Sequence, residues 1–133
     1  MLYVLDACSM IAYLRDEKGS EVVEDALFAP DSKCYAHSVN LCEVLYDFYR
    51  VGARTEAEQA IEDILLLGVI EKNQLDKGFW QAVGKLKAEI KAFLADCFAI
   101  ATANELNGSV LTSDHHEFDT IAKNGVCRVT FIR

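Results

Sequence analysis

Asp6 follows the apolar run Leu2-Tyr3-Val4-Leu5, and Asp114 follows Val110-Leu111-Thr112-Ser113. Each sits where a β-strand would end, and in a parallel α/β sheet the C-terminal strand ends share one edge, where ligands bind. Two carboxylates brought to that edge repel each other unless a cation stands between them, so the pair points to a divalent metal. Each also fits a helix cap or a turn, which favour aspartate. Ser9 and Thr112, close to the pair in sequence, supply hydroxyls that could cap a helix or orient a ligand.

Two further acids extend the set. Asp96 shares a helical stripe with Ala99, Ile100 and Ala103, and a carboxylate aimed at a sheet is costly to bury unless it is neutralised or hydrogen-bonded. A first-turn position would also ease an anion through the helix dipole. Glu43 lies off the stripe of its helix, beside Tyr46, Asp47 and Arg50, and alone reads as a solvated face. Together Asp6, Glu43, Asp96 and Asp114 make an oxygen-rich, thiolate-free set suited to Mg2+ or Mn2+. His115 and His116 are adjacent, share no helical face, and read as loop histidines; His37 carries no signal of its own.

The elements that must position these residues alternate between strand and helix. After the first strand, Ser9 is expected to cap a short helix through Arg15, and Gly19-Ser20 to open a helix from Glu21 to Phe28. Lys33 to Ala36 reads as a strand, and Ser38 as the cap of a helix to about Arg50, with Leu41, Val44, Leu45 and Phe48 on its core face. Thr55-Glu56-Ala57-Glu58 has the capping-box pattern and starts a helix to Leu67, after which Val69 to Glu71 is a weak strand. Helices from Asp76 to Ile90 and Ala95 to Leu106, a strand from Ser109 to Thr112, a helix from Glu117 to Lys123 and a strand from Val126 to Ile132 complete the chain. The alternation predicts a parallel sheet with helices on both faces.

Composition narrows the class. A chain of 133 residues, 52% hydrophobic with one proline, is expected to form one domain with a core that needs no disulfide or structural zinc. The five cysteines are odd in number and scattered, with no C-x-x-C pair, so they read as buried free thiols. Neither a secretory signal nor an apolar run of membrane-spanning length is present, and a cytoplasmic protein is expected. The net charge of −8 argues against an extended basic nucleic-acid surface. A nuclease remains compatible, because acids around metal ions are neutralised in use. The best local basic candidates are Lys85, Lys87 and Lys91 ahead of Asp96, with Arg50 and Arg54 after Glu43.

The sequence resembles the PIN-domain family, in particular its small VapC-type toxin nucleases, nearly end to end. Tyr3 to Ser9 is similar to the family's strand, aspartate and hydroxyl residue, Ser38 to Leu45 to its glutamate helix, and Leu94 to Ala101 to its third acidic motif. Val110 to Asp114 with Phe118 resembles the fourth. The resemblance implies an α/β/α three-layer fold around a parallel sheet of about five strands, and Mg2+- or Mn2+-dependent hydrolysis of RNA. It implies Asp6 and Asp96 as direct metal ligands, with Asp114, also a metal-site residue, and Glu43 completing the acidic cluster. Ser9 and Thr112 would orient ligands or water. It further implies a homodimer and a small antitoxin partner. The chain departs from the pattern after the fourth aspartate, where many relatives carry another acid or amide: here His115 and His116 stand, with Asp119 further along, which weakens the case for a second metal.

Other readings fare worse. Cys8 and Arg15 are one residue too far apart for a phosphatase loop, and no glycine lies between them to cradle phosphate. A response-regulator receiver needs paired acids after the first strand, where Ala7 and Cys8 stand. The remaining competitor is a PIN-like module that binds RNA or protein without appreciable cleavage.

Overall fold

The computed structural model describes all 133 residues. Twelve elements follow in the order β1 (Leu2–Leu5), α1 (Ala7–Leu14), α2 (Ser20–Phe28), β2 (Lys33–His37), α3 (Ser38–Arg50), α4 (Arg54–Leu66) and β3 (Ile70–Lys72). Then come α5 (Lys77–Glu89), α6 (Leu94–Leu106), β4 (Ser109–Thr112), α7 (His115–Lys123) and β5 (Arg128–Phe131). The five strands are all parallel in the order β3-β2-β1-β4-β5.

Successive side chains of a strand face opposite sides, and here both sides are buried. Leu5 and Leu111 enter one core cluster, with Met10, Val44 and Ile64, beneath α1 to α4. Val4 and Val110 enter the other, with Phe98, Ile100 and Phe118, beneath α5 to α7. The sheet is thus the middle of three layers, as expected. None of the helices is long and apolar enough to cross a membrane.

β1 is the hinge of the topology. The chain builds outward from it through β2 to β3, then returns to lay β4 on its other side. Adjacent strands whose connections leave in opposite directions open a crevice at their C-terminal ends. That crevice lies between β1 and β4, where Leu5 is in register with Leu111 and the Asp6 amide donates to the Leu111 carbonyl at 3.3 Å.

Several expected helix starts are corrected. Asp6, not Ser9, caps α1: its Oδ1 accepts from the Ser9 amide at 2.8 Å. His37, not Ser38, caps α3, its Nδ1 accepting from the Val39 amide at 3.1 Å. α4 begins at Arg54 with Ala53 before it, so the Thr55 capping box does not form. α7 begins at His115 because Asp114 caps it, so both histidines are helical rather than loop residues. The last strand spans Arg128–Phe131 only.

Gly19 shows why one turn admits no side chain. Its φ of 95° is left-handed, and a Cβ there would lie 2.7 Å from the Ile132 carbonyl oxygen. The turn before α2 is therefore seated against the last residues of the chain.

Candidate metal and nuclease site

Asp6 leaves β1 into α1 and is 1% exposed, because its side chain turns back to cap the helix it starts. The Ser9 hydroxyl donates to the Asp6 main-chain oxygen at 3.0 Å, so Ser9 holds Asp6 by two bonds and its hydroxyl is spent on the backbone. Asp6 Oδ2 is buried with no hydrogen-bond partner. The nearby Thr112 hydroxyl favours its ionised form without reaching normal bonding geometry, and the Thr112 oxygen accepts from the Asp114 amide at 3.0 Å. Asp114 in turn accepts from the Glu117 amide at 3.1 Å.

The helices across the crevice supply the other acids. Asn40, fully buried on α3, donates through Nδ2 to Glu43 Oε1 and to the Ala95 carbonyl, both at 3.1 Å. One amide thus aims Glu43 and pins it beside the first turn of α6, where Asp96 stands. Burial does most to raise Asp96, to about 7, and Asp6, Glu43, Asp114 and Glu117 add repulsion. Asp6 is pushed up to about 6, again chiefly by burial, against the Thr112 and Ser9 contacts that lower it; Glu43 raises it further. Glu43 is raised by burial and lowered by the Asn40 bond. The sequence-predicted carboxylates are therefore gathered into one electrostatic neighbourhood.

Two residues of this neighbourhood, Asn40 and Glu117, have no site role in the reading of the sequence, and a third, Cys8, is placed differently by the structure. Asn40 looked like one polar residue of a helix; only its reach to the Ala95 carbonyl, 55 residues away, shows what it does. Glu117 looked like a helix-opening acid, yet its Oε2 is buried and unpartnered, and it adds to the field at Asp96. Its spacing of three from Asp114 was the available signal. Cys8 stands at the rim. Solvent reaches it, as it does Cys42, so these two thiols are not buried, whereas Cys34, Cys97 and Cys127 are. Packing around the Cys8 sulfur and then the charges of Asp6, Asp114, Asp96 and Glu43 push its pKa to about 12.

His37 and His115 have structural partners. His37 is 2% exposed, stacks on Phe79 with ring centres 5.3 Å apart, and its Nε2 meets the Gln74 carbonyl at 2.8 Å. His115 stacks on Phe131 at 4.0 Å and contacts Asp119 and the Arg133 carbonyl, each at 2.7 Å. The basic candidates do not form one track. Lys87 donates to the Ala92 carbonyl at 2.8 Å, Lys85 lines a cleft between α5 and α6, and Lys91 lines another against α7. Arg50 pairs with Asp47, which Arg15 also contacts at 2.8 Å, and Arg54 lies over the Tyr49 ring.

A divalent ion fits the donor set. Only three buried side-chain oxygens or nitrogens in the protein lack a partner (Asp6 Oδ2, Asn40 Oδ1 and Glu117 Oε2), and all three border this crevice. Unmet acceptors among mutually repelling carboxylates are what a hard cation would satisfy. No three His, Cys, Asp or Glu side chains are grouped closely enough to hold a metal ion by themselves. An ion held here would keep several waters and take only one or two carboxylates directly.

The fold has counterparts among solved structures. One chain of VapBC2 from Rickettsia felis, bound to a DNA fragment from their promoter, superposes with a TM-score of 0.77 at 16% identity over 98% of both chains. A chain of VapBC-1 from nontypeable Haemophilus influenzae gives 0.71 at 20% identity, covering 99% of this chain and 98% of that one. A chain of a toxin-antitoxin complex from Klebsiella pneumoniae gives 0.72 at 15% identity over 98% of both. At such identities these establish the shared fold. No curated protein matches the sequence. The PIN domain family model matches residues 3–124, a span that holds most of β1, all of α3 and α6, and the Asp114 turn. By that match and this fold, the chain belongs to the PIN domain family.

Proposed function

We propose that the protein is a metal-dependent endoribonuclease that hydrolyses RNA phosphodiester bonds and serves as the toxin of a toxin-antitoxin pair. The observation that carries this reading is the set of unpartnered buried oxygens, with Asp6 and Asp96 raised to about 6 and 7. A cluster so costly in isolation is explained by a cation it exists to bind. Asp6 and Asp96 are the proposed direct ligands of Mg2+ or Mn2+, and Asp114 and Glu43 complete the site. Such an ion, when bound, lowers the pKa of a water and steadies the attacking and leaving oxygens of a phosphodiester.

The chain's own residues hold the site ready. Ser9 fixes Asp6 from the α1 side, Thr112 lies against it from β4, and Asn40 keeps Glu43 turned toward α6. Glu117, bonded through its amide to Asp114, joins the acidic group as a fifth member. The partners in this reading are RNA, a second copy of the chain, and a small antitoxin protein; the family resemblance and the toxin-antitoxin neighbour support them. Phe93 and Leu94, 71% and 54% exposed beside Asp96, leave apolar surface where such a partner would meet the site. A cytoplasmic location goes with that role.

The test is cleavage of structured RNA by purified protein with and without Mn2+, beside Asp96→Asn. Metal-dependent cleavage lost in the variant is expected. Equal cleavage by the variant, or none by either protein at high concentration, would overturn the catalytic reading.

A further inference from the structure

Next to the acidic crevice lies a second cavity, of about 380 Å³, between the end of α5 with its following loop and α7. Its α7 wall carries His116 and Thr120, four residues apart and so on one helical face, with Asn124 at the C-cap just beyond them. Ile90 and Val126, both half-buried, add an apolar patch, and Lys91 faces them from the α5–α6 loop. Glu117 also lines this cavity, and its amide donates to Asp114, so the cavity adjoins the acidic cluster through that one residue. The functional reading above leaves these polar groups without a task.

We propose that this cleft binds one nucleoside of the RNA strand, the one flanking the bond that is cut; the inference rests on the ribonuclease reading. Its volume lies at the small end of the range for ligand cavities, enough for a single nucleoside. Glu89 and Glu117 on its walls oppose a ligand that is only phosphate, whereas an uncharged base suits the mixture. Thr120, Asn124 and His116 offer donors and acceptors to a base edge, the half-buried Ile90 and Val126 give its face an apolar rest, and Lys91 can meet the backbone charge. RNA specificity commonly comes from unstacked bases read in this way.

The test separates binding from cleavage. In NMR titrations with Mg2+, each of the four 5′-mononucleotides is added to wild-type protein and to the double variant His116→Ala/Asn124→Ala, whose substituted positions, one in α7 and one at its C-cap, are solvent-exposed. Saturable shifts confined to residues 116–124 and Lys91, differing at least threefold in affinity among the bases and weakened at least fivefold in the variant, are expected. No shift in α7 for any nucleotide, or equal affinities in the two proteins, would overturn the proposal. In parallel, an RNA pool is cleaved by both proteins and the nucleotides flanking each cut are counted. An altered preference in the variant supports the subsite; an unchanged one refutes it while leaving the nuclease reading intact. Nucleotide binding without any cleavage by the wild type would instead overturn the nuclease reading and retain the nucleotide site.

Discussion

Replacing Asp6 with asparagine should stabilise the metal-free protein at neutral pH and leave it unchanged in acid. Asp6 is raised from an ordinary 3.8 to about 6 by burial. That difference, 6 − 3.8, is about 2.2 pH units, and at about 1.4 kcal/mol per unit it corresponds to roughly 3 kcal/mol. The sign follows from proton counting. Between pH 3.8 and 6 the folded state keeps a proton that the unfolded state has released, so stability falls as pH rises through that window. Below 3.8 both states are protonated and the cost vanishes; above 6 it is fully present. Asparagine keeps an oxygen for the Ser9 amide but carries no charge, so it should recover about 2–3 kcal/mol at pH 7.5 and almost nothing near pH 4. For a domain of this size that is on the order of 10 °C in melting temperature. Urea or thermal unfolding of both proteins in EDTA across pH 4 to 8 measures it. Parallel stability curves for wild type and variant would refute the argument, as would an Asp6→Asn protein less stable than wild type at pH 7.5.

Saturating Mg2+ or Mn2+ should raise the melting temperature of the wild type at pH 7.5, by about 2.7 kcal/mol of stability at a hundredfold excess over Kd, and far less for Asp96→Asn; no shift at millimolar metal in either would count against the site. Gly19→Ala should cost more than about 1 kcal/mol in urea unfolding, since its φ is 95° and the new Cβ would press on the Ile132 carbonyl at 2.7 Å; a neutral result would mean the turn readily shifts. His37→Ala should cost roughly 2–4 kcal/mol, because it strips the α3 cap and the Gln74 contact and leaves a hole beside Phe79 and Phe98; a loss under 0.5 kcal/mol would show that water replaces the ring without strain.

How far the sequence carried the site can be argued residue by residue. Asp96 was legible because a carboxylate on the same stripe as Ala99, Ile100 and Ala103 contradicts its surroundings. Glu43 was not legible from its helix alone, since its exposure pattern is that of a solvated face; its role enters through Asn40, whose second bond crosses to α6. The helix starts misread at Ser9 and Ser38 share one cause: a histidine or aspartate at the end of a strand can cap the next helix, and a serine just inside it then resembles the cap. His115 and His116 were misplaced for the same reason, because Asp114 begins α7 one residue before them.

Local chemistry, then, was written in the order of residues: apolar runs of strand length, helical stripes of Leu41, Val44 and Phe48, and acids at strand ends. These depend on neighbours within a few positions, so periodicity reveals them. Strand order and register depend instead on where distant segments fold back, as when Val4 pairs with Val110, which no local pattern encodes. Placing β4 beside β1 brings Thr112 against Asp6, sets Asp114 and Glu117 opposite Asp96, and opens the cleft along α7. The acids were visible in the sequence. That they oppose one another in a crevice, with three buried oxygens left unmet, was decided by the tertiary fold.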